Sequence, residues 1–139
     1  MTTPDRPTVD CELIHPVLSV SDVVAAVDFY VTRLGFAHGF IEGDPPRFAG
    51  VNLGEVQLFL RQGTPRPEGC AVFFVVGDAD SLYELHRSNG VEVAEPPGDR
   101  HYGIRDYAVR DLDGHYLSFG HYIFGTGEPL RIERVDVPV

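Results

Sequence analysis

Asp106-Tyr-Ala-Val-Arg-Asp-Leu-Asp-Gly-His-Tyr-Leu-Ser-Phe-Gly-His121 is the stretch on which the fold turns. Two apolar-alternating runs, Tyr107–Val109 and Tyr116–Phe119, flank Asp111-Leu112-Asp113-Gly114. An Asp-Gly pair between such runs is a strong hairpin signal, because Gly takes positive φ without a Cβ clash. Asp111 and Asp113 look like a catalytic acid pair, but short polar side chains at these places are turn formers.

Upstream of the hairpin the chain carries the same order of elements twice. Glu12–Val20 alternates as a strand, and Pro16, which lacks an N–H, places it at a sheet edge. Ser21 or Asp22 then caps a helix whose apolar stripe is Val23, Ala26, Val27, Tyr30 and Leu34, ended by Gly35. Strands are expected over Phe36–Glu42, Phe48–Leu53 and Val56–Arg61. A Gly/Pro-rich linker, Gln62–Gly69, follows. The order then restarts: strand Cys70–Val76, a helix opened by Asp78 and stopped at Asn89-Gly90, strand Val91–Ala94, and the hairpin. Val20-Ser21-Asp22 and Val76-Gly77-Asp78 are 56 residues apart and begin the two helices. The chain is therefore an α+β protein built from two tandem βαβββ half-units, about 12–62 and 69–124, forming one domain over 12–124. Residues 1–11 read as an N-terminal arm and 125–139 as a tail, with Arg131–Val137 a weak strand.

The 139 residues suffice for one domain, and 43% hydrophobic content is that of a globular chain. No apolar run reaches the length of a membrane span, and the N-terminus lacks the basic-then-apolar order of a secretory signal. Two cysteines read as reduced thiols, so a cytoplasmic protein is expected. A net charge of −10, from 21 acidic and 11 basic residues, disfavours nucleic acid and anionic lipid and favours a cationic ligand. Neither a Gly-Xaa-Ser-Xaa-Gly elbow nor a phosphate-cradling glycine loop occurs.

With Phe29-Tyr30, Leu34-Gly35-Phe36, the run His15–Asp22, the run Tyr102–Asp111, Asp113-Gly114 and Phe119-Gly120, the duplicated unit resembles the vicinal oxygen chelate superfamily. That group includes glyoxalase I, extradiol dioxygenases and bleomycin resistance proteins, and the likeness is greatest to the last. The resemblance implies curled mixed sheets around a cleft and a dimer that exchanges its N-terminal strand. It also implies four metal-ligand positions, falling here on His15, Gln57, Ala71 (Cys70 with a one-residue slip) and Ser118. One good donor, one weak and two missing do not make a catalytic metal site; the metal-binding alternative rests on His15, Gln57 and a non-standard donor. Alternation points His115 and His121 away from the face of Tyr116 and Ser118. His38 and His86 read as surface or partly buried residues, and His101 as a loop residue near the cleft.

The expectation is therefore a small-molecule (antibiotic) binding and sequestration protein without cofactor, the alternative being a metal-dependent glyoxalase or dioxygenase-type enzyme holding one divalent ion. Its groove would be lined by Phe48, Gln57, Phe59, Phe73, Tyr102, Tyr116 and Ser118, with Val17 and Ser19 beside them. Aromatic walls with few polar groups suit a planar or cationic ligand, and Glu42, Asp44 and Glu68 would attract positive charge at its mouth.

Overall fold

The computed structural model describes residues 9–69 and 71–123. Its elements are β1 (Val17–Val20), α1 (Val23–Thr32), β2 (Ala37–Glu42), β3 (Phe48–Leu53), β4 (Val56–Gln62), β5 (Ala71–Val75), α2 (Ala79–Ser88), β6 (Val93–Asp99), β7 (Ile104–Arg110) and β8 (Tyr116–Tyr122). They form two four-stranded mixed sheets, ordered β1-β4-β3-β2 and β5-β8-β7-β6. In each the first strand runs parallel to the last and the other neighbours are antiparallel. The tail, the weak strand at 131–137, Cys70 and most of the N-terminal arm lie outside the described residues.

Each helix covers one face of its own sheet. The α1 stripe Val23, Ala26, Val27 and Tyr30 is buried, as are Leu18, Val20, Ala49, Val51, Leu58 and Leu60 beneath it. A buried aliphatic side chain contributes roughly 1.5–3 kcal/mol, so this layer dominates stability. In the second half Phe74, Val109, Leu117 and Phe119 play the same part. Asp22 and Asp78 cap the helices as expected, each Oδ1 accepting two backbone N–H groups at 3.1–3.2 Å. A second cap is also duplicated: Gln62 accepts from the Val23 N–H at 2.9 Å, and His121 Nδ1 from the Ala79 N–H at 2.8 Å. Both capping residues come from the last strand of their half.

The halves join through their helices. Arg33 and Asn89, the C-cap residues of α1 and α2, bond reciprocally: Arg33 Nε to the Asn89 carbonyl at 2.6 Å and Asn89 Nδ2 to the Arg33 carbonyl at 3.1 Å. Phe36 packs edge-on against Phe74 with centroids 5.2–5.6 Å from its aromatic neighbours Tyr30 and Phe74. His86 corrects the expectation of a surface or partly buried residue. It is fully buried on the α2 face toward α1, where Nε2–H donates to the Leu34 carbonyl at 2.8 Å and Nδ1 accepts from the Tyr107 hydroxyl at 3.0 Å. Burial pushes its pKa below the ordinary histidine value.

Three boundaries differ most from expectation. β1 starts at Val17 instead of Glu12: the chain before it is exposed and irregular, and its last backbone contact is the Pro16 carbonyl accepting from the Phe59 N–H at 3.0 Å. β6 runs through Pro96-Pro97 to Asp99, which an edge strand with register shifts tolerates. The hairpin loop is five residues, 111–115, since Arg110 pairs with Tyr116.

Candidate functional site

Alternation along each sheet leaves the face opposite its helix open. On the first sheet that face carries Val17, Ser19, Phe40, Phe48, Gln57, Phe59 and Arg61. Phe59 is its centre, stacked on His15 at 4.3 Å and in contact with Phe48 at 5.2 Å and Phe40 at 5.8 Å. Gly50 permits the arrangement, because the Phe40 ring occupies the space a Cβ would take. Gln57 Nε2 donates to Asn52 Oδ1 at 2.9 Å, and Arg61 donates to Ser19 Oγ at 3.3 Å. The rings fill one another and form a platform.

The second sheet's open face is hollow instead. A recess of about 280 Å³ is lined by Phe73, Tyr102, Tyr116 and Ser118 together with Glu95, Arg100, Asp106 and Ala108. Tyr116 also walls an adjoining recess of about 450 Å³ with Pro67, Glu68, Ala71 and Arg110, whose guanidinium lies 5.0 Å from the Tyr116 ring centroid. Four expected contacts, Phe73, Tyr102, Tyr116 and Ser118, thus share one cavity. Phe48, Gln57 and Phe59 lie on the other sheet, and among the described residues no ring contact joins the two open faces. Of the acidic residues expected at the groove mouth, Glu68 lines a recess, whereas Glu42 and Asp44 are exposed at the β2–β3 turn.

Residue reasoning missed the polar floor of the 280 Å³ recess. Asp106 is only 9% exposed, and its Oδ1 accepts from Arg100 Nε at 2.7 Å. That bond is the main reason the Arg100 guanidinium holds its proton more tightly than usual. The signal was present: in a hairpin that pairs Ala108 with Ser118, Asp106 shares their face. Asp111 likewise is more than a turn former. It is buried and accepts from the Tyr30 hydroxyl at 2.7 Å and from His115 Nδ1 at 2.9 Å, so it ties the hairpin to α1. Asp113 is half-buried and accepts from Ser21 Oγ at 2.6 Å. His115 and His121 are buried on the covered side, away from Ser118, as alternation requires.

The strand registers allow a metal site to be tested against the side chains present. Val17 pairs with Phe59, and Phe73 with Ser118. The counterpart of Ser118 in the first half is therefore Phe59, and Gln57 corresponds to Tyr116, which corrects the assignment of Gln57. The four equivalent places hold His15, Phe59, Ala71 and Ser118, of which only His15 offers a good donor, and its Nδ1 lies 2.9 Å from the Gln57 carbonyl. Among the described residues no group of three or more His, Cys, Asp or Glu side chains could hold an ion. Among the described residues, the side chains at these four places do not make the donor set of a divalent metal.

No helix among the described residues is long and apolar enough to cross a membrane. A search of curated proteins finds no match. Solved structures do match. The bleomycin-binding protein of bleomycin-producing Streptomyces verticillus, complexed with copper(II)-bleomycin, is 31% identical with a TM-score of 0.66, over 81% of this chain and 97% of that one. TioX from Micromonospora sp. ML1 is 26% identical with a TM-score of 0.70, over 81% and 100%. A glyoxalase-related enzyme from Clostridium phytofermentans, 21% identical over 86% and 100% with a TM-score of 0.72, shares the fold. The family model for the glyoxalase/bleomycin resistance protein/dioxygenase superfamily matches residues 12–119, and the chain belongs to that superfamily.

Proposed function

We propose that this chain is a bleomycin-resistance-like protein that binds and sequesters a planar or cationic small molecule, as a cytoplasmic homodimer and without a catalytic metal. One observation carries the reading: where related enzymes gather metal donors, this chain has an aromatic platform on one sheet and a ring-walled recess on the other. The likeness to a protein solved with copper(II)-bleomycin supports it. So does the net charge of −10, which draws cations.

Dimerisation gives the platform and the recess a way to meet. Val17, Phe73 and Val75 stand 45–53% exposed on the open faces. A partner subunit that laid its second sheet over the first sheet of this one would cover them. It would bring Phe48, Gln57 and Phe59 of one protomer toward the Tyr102, Tyr116, Phe73 and Ser118 face of the other. The exposed free thiol of Cys11 suits a reducing compartment.

Calorimetric titration tests the ligand class. Saturable binding of a bleomycin-type glycopeptide, at about 1 μM or tighter, is the strength sequestration needs. No heat or saturation up to about 100 μM would remove that class. Elemental analysis of untagged protein tests the rest: stoichiometric Zn, Ni, Mn or Fe lost on His15→Ala would overturn the metal-free reading in favour of the enzyme.

A further inference from the structure

The recess on the second sheet is chemically biased in a way its aromatic walls do not reveal. Asp106 lies on its floor, 9% exposed, with Oδ1 committed to Arg100. Oδ2 has among the described residues only the Tyr102 hydroxyl, at the 3.5 Å limit of a hydrogen bond. A carboxylate oxygen facing the recess, in a side chain 12% exposed and held only by this long bond, can accept from a stronger donor.

Arg100 does not convert the recess into an anion site. Its Nη2 donates to the carbonyls of Pro96 and Asp106 at 3.3 and 3.2 Å, and its Nη1 lies 3.9 Å from the Glu95 carboxylate. Two of its three nitrogens are thus hydrogen-bonded to the protein, and the third faces a carboxylate. Two carboxylates against one guanidinium leave the lining with an excess of negative charge. The walls select shape: Phe73 and Tyr116 contribute rings, and the Tyr116 ring is held by Arg110 at 5.0 Å. Gly120 lets the floor form, because a Cβ there would stand 2.9 Å from both the Asp106 Cβ and the Phe73 ring.

We propose that this recess anchors a planar N–H donor head group, an amidine, guanidine or amino-heterocycle, and that Asp106 is its specificity-determining acceptor. The proposal rests on the ligand-binding reading above and names the part of the ligand that this sheet recognises. Tyr102 closes the mouth and yields its long bond to Asp106 when the donor arrives. Carboxylate- or phosphate-tipped ligands are refused by the unneutralised charge.

The test uses the full chain, ¹⁵N-labelled, titrated with benzamidine and separately with benzoate, which share a ring and differ in the sign of the head group. Benzamidine is expected to shift the Ala108 and Ser118 amides saturably at about 1 mM, a strength normal for a fragment, while benzoate leaves them unmoved. Asp106→Asn, checked for folding by circular dichroism, should weaken benzamidine at least about tenfold, the loss of one charge-assisted bond. Should that variant fail to fold, the benzamidine–benzoate contrast in the wild type decides alone. Equal shifts from benzoate, shifts confined to another surface, or undiminished binding by folded Asp106→Asn would each overturn the proposal. If benzamidine is silent while a bleomycin-type drug still saturates, this inference fails and the sequestration reading stands. Retained benzamidine binding without drug binding removes only the drug class.

Discussion

Replacing His86 by Phe should destabilise the protein by about 2–4 kcal/mol, and the loss should shrink as the solution is acidified. The substitution keeps an aromatic ring in a fully buried position, where it would still meet Tyr107 and Phe119 edge-on at 5.8 and 5.1 Å. It removes both hydrogen bonds, leaving the Leu34 carbonyl and the Tyr107 hydroxyl without their partner. An orphaned buried group costs roughly 1–3 kcal/mol, and two at about 1–2 kcal/mol each set the range. Total stability of about 5–15 kcal/mol makes this visible as a fall in Tm of roughly 8–16 °C for a chain of this size. The pH dependence follows from burial, which lowers the His86 pKa from 6.5 in the folded state. Above pH 6.5 both states hold the ring neutral and the protonation term is zero. Below it the unfolded chain takes up a proton that the folded protein refuses, so wild-type stability falls by at most about 1.4 kcal/mol per pH unit while His86 stays neutral. The Phe variant lacks that term, and urea denaturation at pH 7.5 and pH 5.5 measures the difference. A variant as stable as wild type, or a gap independent of pH, would refute the assignment of His86 as a neutral bridge between the halves.

Five further substitutions, at four positions, probe other parts of the design by thermal and urea melts. Asp111→Ala should cost about 3 kcal/mol, because the Tyr30 hydroxyl and His115 lose a buried acceptor held at 2.7–2.9 Å. His121→Gln should keep stability within about 1 kcal/mol of wild type, since Gln62 already performs the same cap in the first half, whereas His121→Leu strands the Ala79 N–H at a cost of about 1–3 kcal/mol. Adjacent residues of β8 should behave oppositely: Leu117→Ala, fully buried against α2, loses about 2–5 kcal/mol, and Ser118→Ala on the open face changes stability by less than about 0.5 kcal/mol.

What could be read from residues alone was what local physics determines. Asp22 and Asp78 sit before apolar stripes and cap as such residues must; the repeat at Val20-Ser21-Asp22 and Val76-Gly77-Asp78 marks the duplication. Tertiary choices were hidden. His86 lies on a helix with little apolar surface, Ala79 and His86 being its buried residues, and only the Leu34 carbonyl across the junction explains its burial. Gln57 and Phe59 share one face of β4, so alternation cannot say which is the counterpart of Ser118; the pairing of Val17 with Phe59 can. Asp106 was hidden for another reason: a charge at an inward position reads as a surface residue until its bond to Arg100, six residues earlier, is seen.

The duplication separates the demands of folding from those of binding within one chain. On the covered faces the equivalent positions keep their character: Leu18 with Phe74, Leu58 with Leu117, Leu60 with Phe119, all buried, and Asp22 with Asp78 at the caps. On the open faces the equivalents differ at every place that matters: His15 with Ala71, Val17 with Phe73, Gln57 with Tyr116, Phe59 with Ser118. The covered faces supply the core, so their chemistry is fixed by burial. The open faces contribute little to the core and are free to diverge, one to a filled platform and the other to a hollow with a carboxylate floor. Two unlike faces cannot grip a symmetric ligand equally well. On the proposed sequestration reading, with the two faces brought together in a dimer, a ligand unlike at its two ends, with a flat surface for Phe59 and a donor for Asp106, is expected to bind more tightly in calorimetric titration than a symmetric one of the same size.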